Sequence, residues 1–296
     1  MRRMCGMAAA AVLLGLAGGC AIQGQARAAG DAQVAGVPFH RQDGFRCGPA
    51  SLAMMLGWAG VEITPAQLEN QFLGDSKDPR TRLTESTRRY GRLPYPISGI
   101  EAMVAELKSG HPVLVLENLG VASRPIWHCA VAVGFDGDRG TVTLHSGAEA
   151  GKVVPMRLLD RLWTDADNWG LVVMRAGDLP ATAQQRPFVE AARGLEKAGR
   201  FWEAVLSYDT ALSQWPADGE ALMGLGKSLY LLGDAQGAVD AFRASAEVAP
   251  DPKPALEALA HVLAELGRRD EALAAAQKAV SINAQARRRY PAKGLD

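Results

Sequence analysis

The sequence has no excess charge of either sign: 32 lysines and arginines stand against 32 aspartates and glutamates in 296 residues. A surplus that would indicate nucleic acid or an acidic substrate is therefore missing, and we predict no nucleic-acid partner. The apolar run at residues 7–17 is shorter than the roughly 20 residues of a membrane-spanning helix. Three histidines, His40, His111 and His145, lack metal-ligand spacing, so no metal site is predicted.

The N-terminus carries the features of an export signal, because the charged start MRR precedes that apolar run. The following LAGGC resembles the lipobox of bacterial lipoproteins, although Ala17 stands where that motif prefers leucine. The resemblance implies a signal peptide at 1–19, a lipid on Cys20 and a tether at 20–36, which anchor the protein at the outer membrane facing the periplasm. Cleavage after Ala28 is the alternative and would leave a soluble periplasmic or secreted protein.

The second half of the chain repeats with a period of 34 residues. This step separates matching glycines, alanines and prolines: Gly199, Gly233 and Gly267; Ala204, Ala238 and Ala272; Pro216 and Pro250. The period and the small residues resemble the tetratricopeptide repeat (TPR). We therefore expect three helical repeats at 188–284, preceded by a linker at 177–187 and followed by a basic tail at 285–296. The resemblance implies a groove that binds a protein or peptide partner.

The first half, residues 37–176, has a different pattern. Leu52, Met55, Leu56 and Ala59 form a helical stripe after Pro49, and a second helix is predicted over residues 100–108. Short β-type runs follow at 112–117, 128–135, 141–146 and 169–174, and a turn-rich stretch joins the second run to the third as a hairpin. Helices followed by an antiparallel sheet indicate an α+β domain.

Cysteine is scarce, with four residues, so Cys47 at the start of a helix needs an explanation. The partial positive charge at a helix N-terminus favours a thiolate over a thiol. A nucleophilic cysteine also needs a base, for which His128 at the start of a β-run is the candidate. Gln42 is close enough in sequence to donate its amide to an oxyanion beside the sulfur. The alternatives are an inert core cysteine and a buried structural histidine.

The order Q-x4-C-G-P, then HPVLVLEN, then WHCAVAVGFD resembles the papain-like cysteine peptidase domain of bacteriocin-leader (double-glycine) processing proteins. The resemblance implies that Cys47 is the nucleophile, His128 the general base and Gln42 the oxyanion donor. It also implies cleavage of peptide bonds through a thioester, with no metal or organic cofactor.

The third position of the triad departs from that family. Where the family has an aspartate that orients the histidine, this sequence has Ser146 within LHSG. Asp136 and Asp138 are alternatives, but both fall in the predicted hairpin turn, and water is a further one. An uncharged orienter weakens such a base, so activity is expected to depend on how His128 is held.

Cys129 raises the question of a disulfide with Cys47. Strand alternation places Cys129 on the face opposite to His128, within an apolar layer. We therefore expect neither a Cys47–Cys129 disulfide nor a metal shared by Cys129 and His128.

Together these features predict an exported, lipid-anchored cysteine peptidase with a partner-binding repeat region. Two alternatives stay open. One is a binding protein that keeps the peptidase fold without turnover. The other is an amidase or transglutaminase acting on cell-envelope peptides, since the same residues serve acyl transfer in general.

Overall fold

The computed structural model describes residues 30–42, 47–72, 78–121 and 123–289, without the side chains of residues 283–289. Cys20, Ala28 and the predicted signal peptide lie outside the described residues, as does the end of the basic tail. Within the described parts, no helix is long and apolar enough to cross a membrane.

The first half is built from seven strands and five helices within the described residues. In chain order they are β1 (Ala32–Gln33), α1 (Cys47–Trp58), α2 (Pro65–Glu69), α3 (Pro79–Arg89), β2 (Arg92–Ser98), α4 (Ile100–Lys108), β3 (Val113–Asn118), β4 (Trp127–Asp136), β5 (Thr141–Ser146), β6 (Glu149–Pro155), α5 (Met156–Thr164) and β7 (Trp169–Arg175). The strands pair antiparallel in the order β2-β7-β3-β4-β5-β6, with β1 added to β4. Because β1 lies at 32–33, part of the predicted tether belongs to the sheet.

Alternate strand residues separate the core of this domain into two layers. One face of the sheet, including Leu114, Leu116 and Cys129, packs against α1. The opposite face, including Val115 and Ala130, packs against α4, α5 and the start of the repeat region. The period of two in the β-type runs produces this division, since successive side chains point to opposite faces.

Helix α1 is more deeply buried than its predicted stripe suggests. It begins at Cys47 rather than after Pro49, and every residue from Gly48 to Leu56 is buried. The helix is apolar on all sides because it lies between the sheet on one side and Leu68 and Leu83 of α2 and α3 on the other. Cys47 is therefore the first residue of a rigid, central element.

The described part of the second half consists of six helices in three antiparallel pairs. They are α6 (Gln185–Lys197), α7 (Phe201–Gln214), α8 (Gly219–Leu231), α9 (Ala235–Val248), α10 (Lys253–Glu265) and α11 (Arg269–Arg289). The three glycines spaced 34 apart end α6, α8 and α10 with φ angles of 73°, 89° and 75°, which a side chain would disfavour. A side chain at Gly226 would meet the Phe242 ring at 2.6 Å, so this glycine allows α8 and α9 to pack closely.

The two halves share one hydrophobic core. Phe188 on α6 is fully buried, with its ring centroid 6.5 Å from Tyr95 of β2 and 6.1 Å from Trp215. The hydroxyl of Tyr95 accepts a hydrogen bond from the Gln184 N–H at 3.0 Å. The predicted linker therefore packs against the sheet before α6 begins.

Glu106 on α4 fixes this linker. Its carboxylate accepts hydrogen bonds from the N–H (2.7 Å) and hydroxyl (2.6 Å) of Thr182 and from the Ala181 N–H (3.1 Å), and pairs with His111 at 2.7 Å. Burial raises the pKa of Glu106, but the hydrogen bonds from His111, Thr182 and Ala181 outweigh it and hold that pKa below its usual value. The Glu106 carboxylate thus holds residues 181–182 of the linker in place by accepting their hydrogen bonds.

We expect Glu106→Gln to lower the free energy of unfolding by about 3 kcal/mol, because it removes a buried charge that four donors satisfy. Because the folded pKa is depressed, this stabilisation is complete above the ordinary pKa of 4.5 and is lost as pH falls through the folded pKa. Urea unfolding of both proteins at several pH values measures this. Glu101→Gln, at an exposed position of the same helix, is the matched control and should change stability by less than about 0.5 kcal/mol. Equal stability of Glu106→Gln and wild type at pH 7 would contradict the expectation.

Candidate active site

Cys47 lies at the N-terminus of α1, where the first N–H groups of the helix have no partner within it. Pro49 occupies the first turn, where its missing N–H costs nothing. The Cys47 side chain is half-buried and contacts the core layer beneath α1. The sequence therefore places the sulfur at a helix terminus that favours its anionic form.

His128 is the second residue of β4 and joins two other elements. Its Nε2 lies 2.9 Å from the Ser146 hydroxyl at the end of β5. The imidazole also hydrogen-bonds the Cys47 sulfur. The structure thus brings Cys47, His128 and Ser146 together, although 99 residues separate the first from the last. Asp136 lies eight residues further along β4, roughly 26 Å away at about 3.3 Å per residue, and does not reach the ring.

The sulfur and the imidazole stabilise each other's charged forms. A hydrogen bond from the Cys129 thiol lowers the pKa of Cys47 to about 4 against the opposing effect of burial, and His128 lowers it further. The hydrogen bond to Cys47 raises the pKa of His128, burial opposes this, and the negative charges of Cys47 and Glu117 add to the rise. At neutral pH this geometry favours a thiolate–imidazolium pair, the reactive form of a cysteine nucleophile.

Comparison with family models gives residues 34–164 as a match to the Peptidase_C39 like family. Residues 189–253 and 254–285 match two tetratricopeptide repeat models. The chain carries a peptidase C39-like domain followed by tetratricopeptide repeats. This confirms the predicted family and the predicted fold class, an α+β domain followed by an all-α repeat region.

Solved structures resemble the two parts separately. A structure provisionally described as a C39-like peptidase from Bacillus anthracis is 20% identical, with a TM-score of 0.43, and the alignment covers 50% of this chain and 98% of that one. YrrB, described as a TPR protein with an unusual peptide-binding site, is 24% identical (TM-score 0.32; 34% of this chain, 52% of that one). MamA is 20% identical (TM-score 0.32; 34% and 61%). The comparison with curated proteins gave no match.

Cys129 in the C39-like domain lies on the face of the sheet that strand alternation predicted, and it also lies beside Cys47. It does point away from His128, into the layer of Leu116 and Val131. That layer, however, is the one beneath α1, so the thiol lies beside Cys47 and donates a hydrogen bond to its sulfur. Both thiols are free in the structure. The alternation of side chains along the strand predicted the face correctly, but only the tertiary structure shows which helix covers that face.

We expect Cys129→Ala to raise the pKa of Cys47 by about one to two units, since it removes a hydrogen bond to a charged group worth about 1.5–3 kcal/mol. The thiolate should then disappear on acidification at a higher pH than in the wild type. Ultraviolet absorbance of the thiolate against pH measures the shift. Cys129→Ser keeps a donor at the same position and should retain most of the low pKa. An unchanged pKa in Cys129→Ala would contradict a role for this thiol.

Gln42 is buried, and its side chain hydrogen-bonds to three elements of the described structure. Its amide nitrogen donates to the Ser51 hydroxyl at 2.8 Å and to the Cys129 carbonyl at 3.1 Å, and its amide oxygen accepts from the Gly147 N–H at 2.8 Å. These bonds connect α1, β4 and the end of β5, next to Cys47, His128 and Ser146. Both N–H groups are already used, so the oxyanion role stays a prediction that requires one of these bonds to break.

Glu117 is a site residue that the sequence reasoning missed. It lies at the end of β3, directly opposite His128 in the β3–β4 register, and is 5% exposed. Burial raises the pKa of Glu117, while the positive charges of His128 and Lys152 oppose that rise. The sequence did contain one sign of this role: Glu117 is the single acidic residue in the otherwise apolar run VLVLE. The strand that contains it is buried along its whole length.

An apolar cavity of about 160 Å³ opens beside the Cys47 sulfur. Its lining includes Phe72, Leu83, Leu116 and Trp127, with Arg82 at one side. Exposed apolar side chains continue from it along the β3–β4 connection, namely Leu119, Val121 and Ile126. The described residues contain no cluster of three or more potential metal ligands.

Proposed function

We propose that this protein is a cysteine peptidase that cleaves peptide bonds through a thioester on Cys47. The observation that carries the proposal is the hydrogen-bonded pair of Cys47 and His128 at the start of α1, with the pKa of Cys47 lowered to about 4. A thiolate available at neutral pH needs no separate activation before it attacks a carbonyl carbon.

The chemistry follows from this pair. The Cys47 sulfur bonds to the carbonyl carbon and the electron pair of the C=O moves to oxygen. The His128 imidazolium then gives its proton to the leaving nitrogen, the C–N bond breaks, and a thioester remains. Neutral His128 next removes a proton from water, whose oxygen attacks the thioester carbon. The C–S bond then breaks, which releases the carboxylic acid and leaves the Cys47 thiolate beside the His128 imidazolium.

The apolar cavity beside Cys47 supports a substrate with an apolar side chain next to the cleaved bond. A volume of about 160 Å³ accommodates one such side chain, and the exposed apolar residues of the β3–β4 connection extend the surface. We infer an extended peptide or an unfolded protein segment as substrate, because such chains present apolar side chains together with accessible peptide bonds.

The repeats supply the second part of the function, the binding of a protein or peptide partner. A groove of about 880 Å³ lies between α6, α8 and the α9–α10 connection. It combines charged side chains, Arg193, Glu220 and Lys227, with the apolar Met223 and Val248. We propose that this groove recruits the substrate or a protein that delivers it.

We also propose export and lipid anchoring through Cys20, at the outer membrane facing the periplasm, on the strength of the LAGGC motif. Radiolabelled fatty acid should enter the wild-type protein in a Gram-negative host and not Cys20→Ser. Absence of label from both proteins would instead favour cleavage after Ala28.

The rate of Cys47 alkylation by iodoacetamide against pH tests the catalytic proposal. We expect the reactive thiolate to persist down to about pH 4, the pKa of Cys47, and expect the buried Cys129 to label slowly. Cys47→Ala identifies which thiol is labelled. Labelling no faster than that of an ordinary thiol near pH 6 would exclude the peptidase and support a binding protein, a reading that the uncharged Ser146 favours. Analysis of the reaction products in the presence of an added amine distinguishes hydrolysis, which gives the free acid, from acyl transfer, which gives the amide.

A further inference from the structure

The β3–β4 register places one acid against the candidate base. Glu117 and His128 are direct partners, so their side chains project from the same face of the sheet with Cβ atoms about 4.5–5.5 Å apart. Ser146 shares that face, because its hydroxyl meets the imidazole at 2.9 Å. The histidine is thus bounded by an uncharged hydroxyl from β5 and a carboxylate from β3.

The titratable groups around His128 come from four elements. Cys47 belongs to α1, Glu117 to β3, Cys129 to β4 and Lys152 to β6. Lys152 is paired with Leu144 in the sheet and is exposed, so solvent screens its charge. Glu117 is buried, so its charge acts on the imidazole with little screening. Ser146 on β5 completes the surroundings without a charge.

We propose that Glu117 is a positioning residue that supplies His128, from the neighbouring strand, with the negative charge that the third triad position on β5 lacks. The proposal rests on the proposed peptidase function. The hydrogen bonds of the imidazole go to Ser146 and Cys47. Ser146 therefore sets the orientation of the ring, and Glu117 stabilises its protonated form through charge. In an ordinary triad one aspartate does both.

The direction of the effect follows from the sign of the charge. A negative neighbour favours the imidazolium, so Glu117 raises the pKa of His128, and its removal lets the ring lose its proton at a lower pH. The alkaline limb of activity, where the imidazolium disappears, then moves to lower pH. A carboxylate with a purely structural role would change stability without moving this limb.

The experiment compares wild type with Glu117→Gln, Glu117→Asp and Ser146→Ala, with Asp136→Asn as a matched acid about 26 Å away on the same strand as His128. Two measurements are made: the rate of peptide hydrolysis against pH, which has the alkaline limb, and the titration of His128 by NMR in a Cys47→Ala background. We expect Glu117→Gln to lower the pKa of His128 and the alkaline limb by about one pH unit. Glu117→Asp should retain most of both, and Asp136→Asn should match the wild type.

A rescue variant separates charge from packing. In the Glu117→Gln background, Ser146→Asp restores a carboxylate to the ring and should return the alkaline limb to within about half a pH unit of the wild type. An unshifted His128 titration in folded Glu117→Gln, or in Glu117→Ala if that variant is the one that folds, overturns the proposal. Slow alkylation of wild-type Cys47 would instead overturn the peptidase function, and the NMR titration would still decide whether Glu117 acts on the ring.

Discussion

His128→Ala should reduce peptide hydrolysis by about 10³-fold, the largest effect expected of a change outside Cys47 itself. In the proposed mechanism, the variant loses the donor that protonates the leaving nitrogen and the base that activates water for thioester hydrolysis. It also loses one of the interactions that lower the pKa of Cys47. Turnover of a peptide with an apolar residue before the cleaved bond, followed by mass spectrometry, measures the reduction.

Two controls accompany His128→Ala: the alkylation rate of Cys47 in the same variant, and the turnover of His145→Ala. The Cys129 thiol is still present and is the first cause of the low pKa of Cys47, so alkylation should decrease far less than hydrolysis. His145→Ala changes a histidine whose Nδ1 accepts a hydrogen bond from Gly151 rather than contacting Cys47, and should keep its turnover within about threefold of the wild type. Unchanged hydrolysis in His128→Ala would exclude His128 as the base.

Phe188→Ala should destabilise both halves of the protein by about 3–5 kcal/mol, the usual range for a buried phenylalanine. The ring is fully buried between Tyr95 of the C39-like domain and Trp215 of the first repeat, so its loss leaves a cavity in a core to which both halves contribute. Hydrogen exchange of β2 and of α6 against urea should show that both become less protected.

Phe242→Ala is the matched control for this experiment. Phe242 is buried to a similar degree but packs in a separate cluster, between the second and third repeats. Its loss should destabilise the repeats and leave protection of β2 and β7 unchanged. If Phe188→Ala affected only the repeats, the two halves would unfold independently and the shared core would contribute little.

Patterns of one residue type at regular spacing predicted the fold well. The 34-residue period arises because the same packed helix pair recurs, and its glycines occupy positive-φ turns or close contacts in each copy. Alternating apolar residues predicted β3, β4, β5 and β7 within one residue or so. Strands β1, β2 and β6 were missed. β1 has only two residues, and two prolines interrupt the alternating Leu93, Tyr95 and Ile97 of β2 at one edge of the sheet. β6 at the other edge is mostly exposed and has no apolar pattern.

The site was predictable only in part. Cys47, His128 and Ser146 stand out because chemistry-bearing residues lie at the ends of apolar elements, and the structure brings the three together. Glu117 was not found, because an acid at a strand end is normally solvated. Gln42 was predicted as an oxyanion donor, which stays a prediction; the sequence did not show that both of its N–H groups form internal hydrogen bonds.

The sequence by itself determined most of the regular elements, namely α1, α4, the central strands β3, β4, β5 and β7 and the repeat helices, because helix and strand periods and turn residues are local properties of the chain. It also determined that Cys47 begins a helix and that His128 begins a strand. Only the tertiary structure decided which groups surround them. Strand register set Glu117 opposite His128, and the packing of α1 on the sheet set Cys129 beside Cys47. These neighbours are distant in sequence, and their effect on charge depends on burial, which no local pattern encodes.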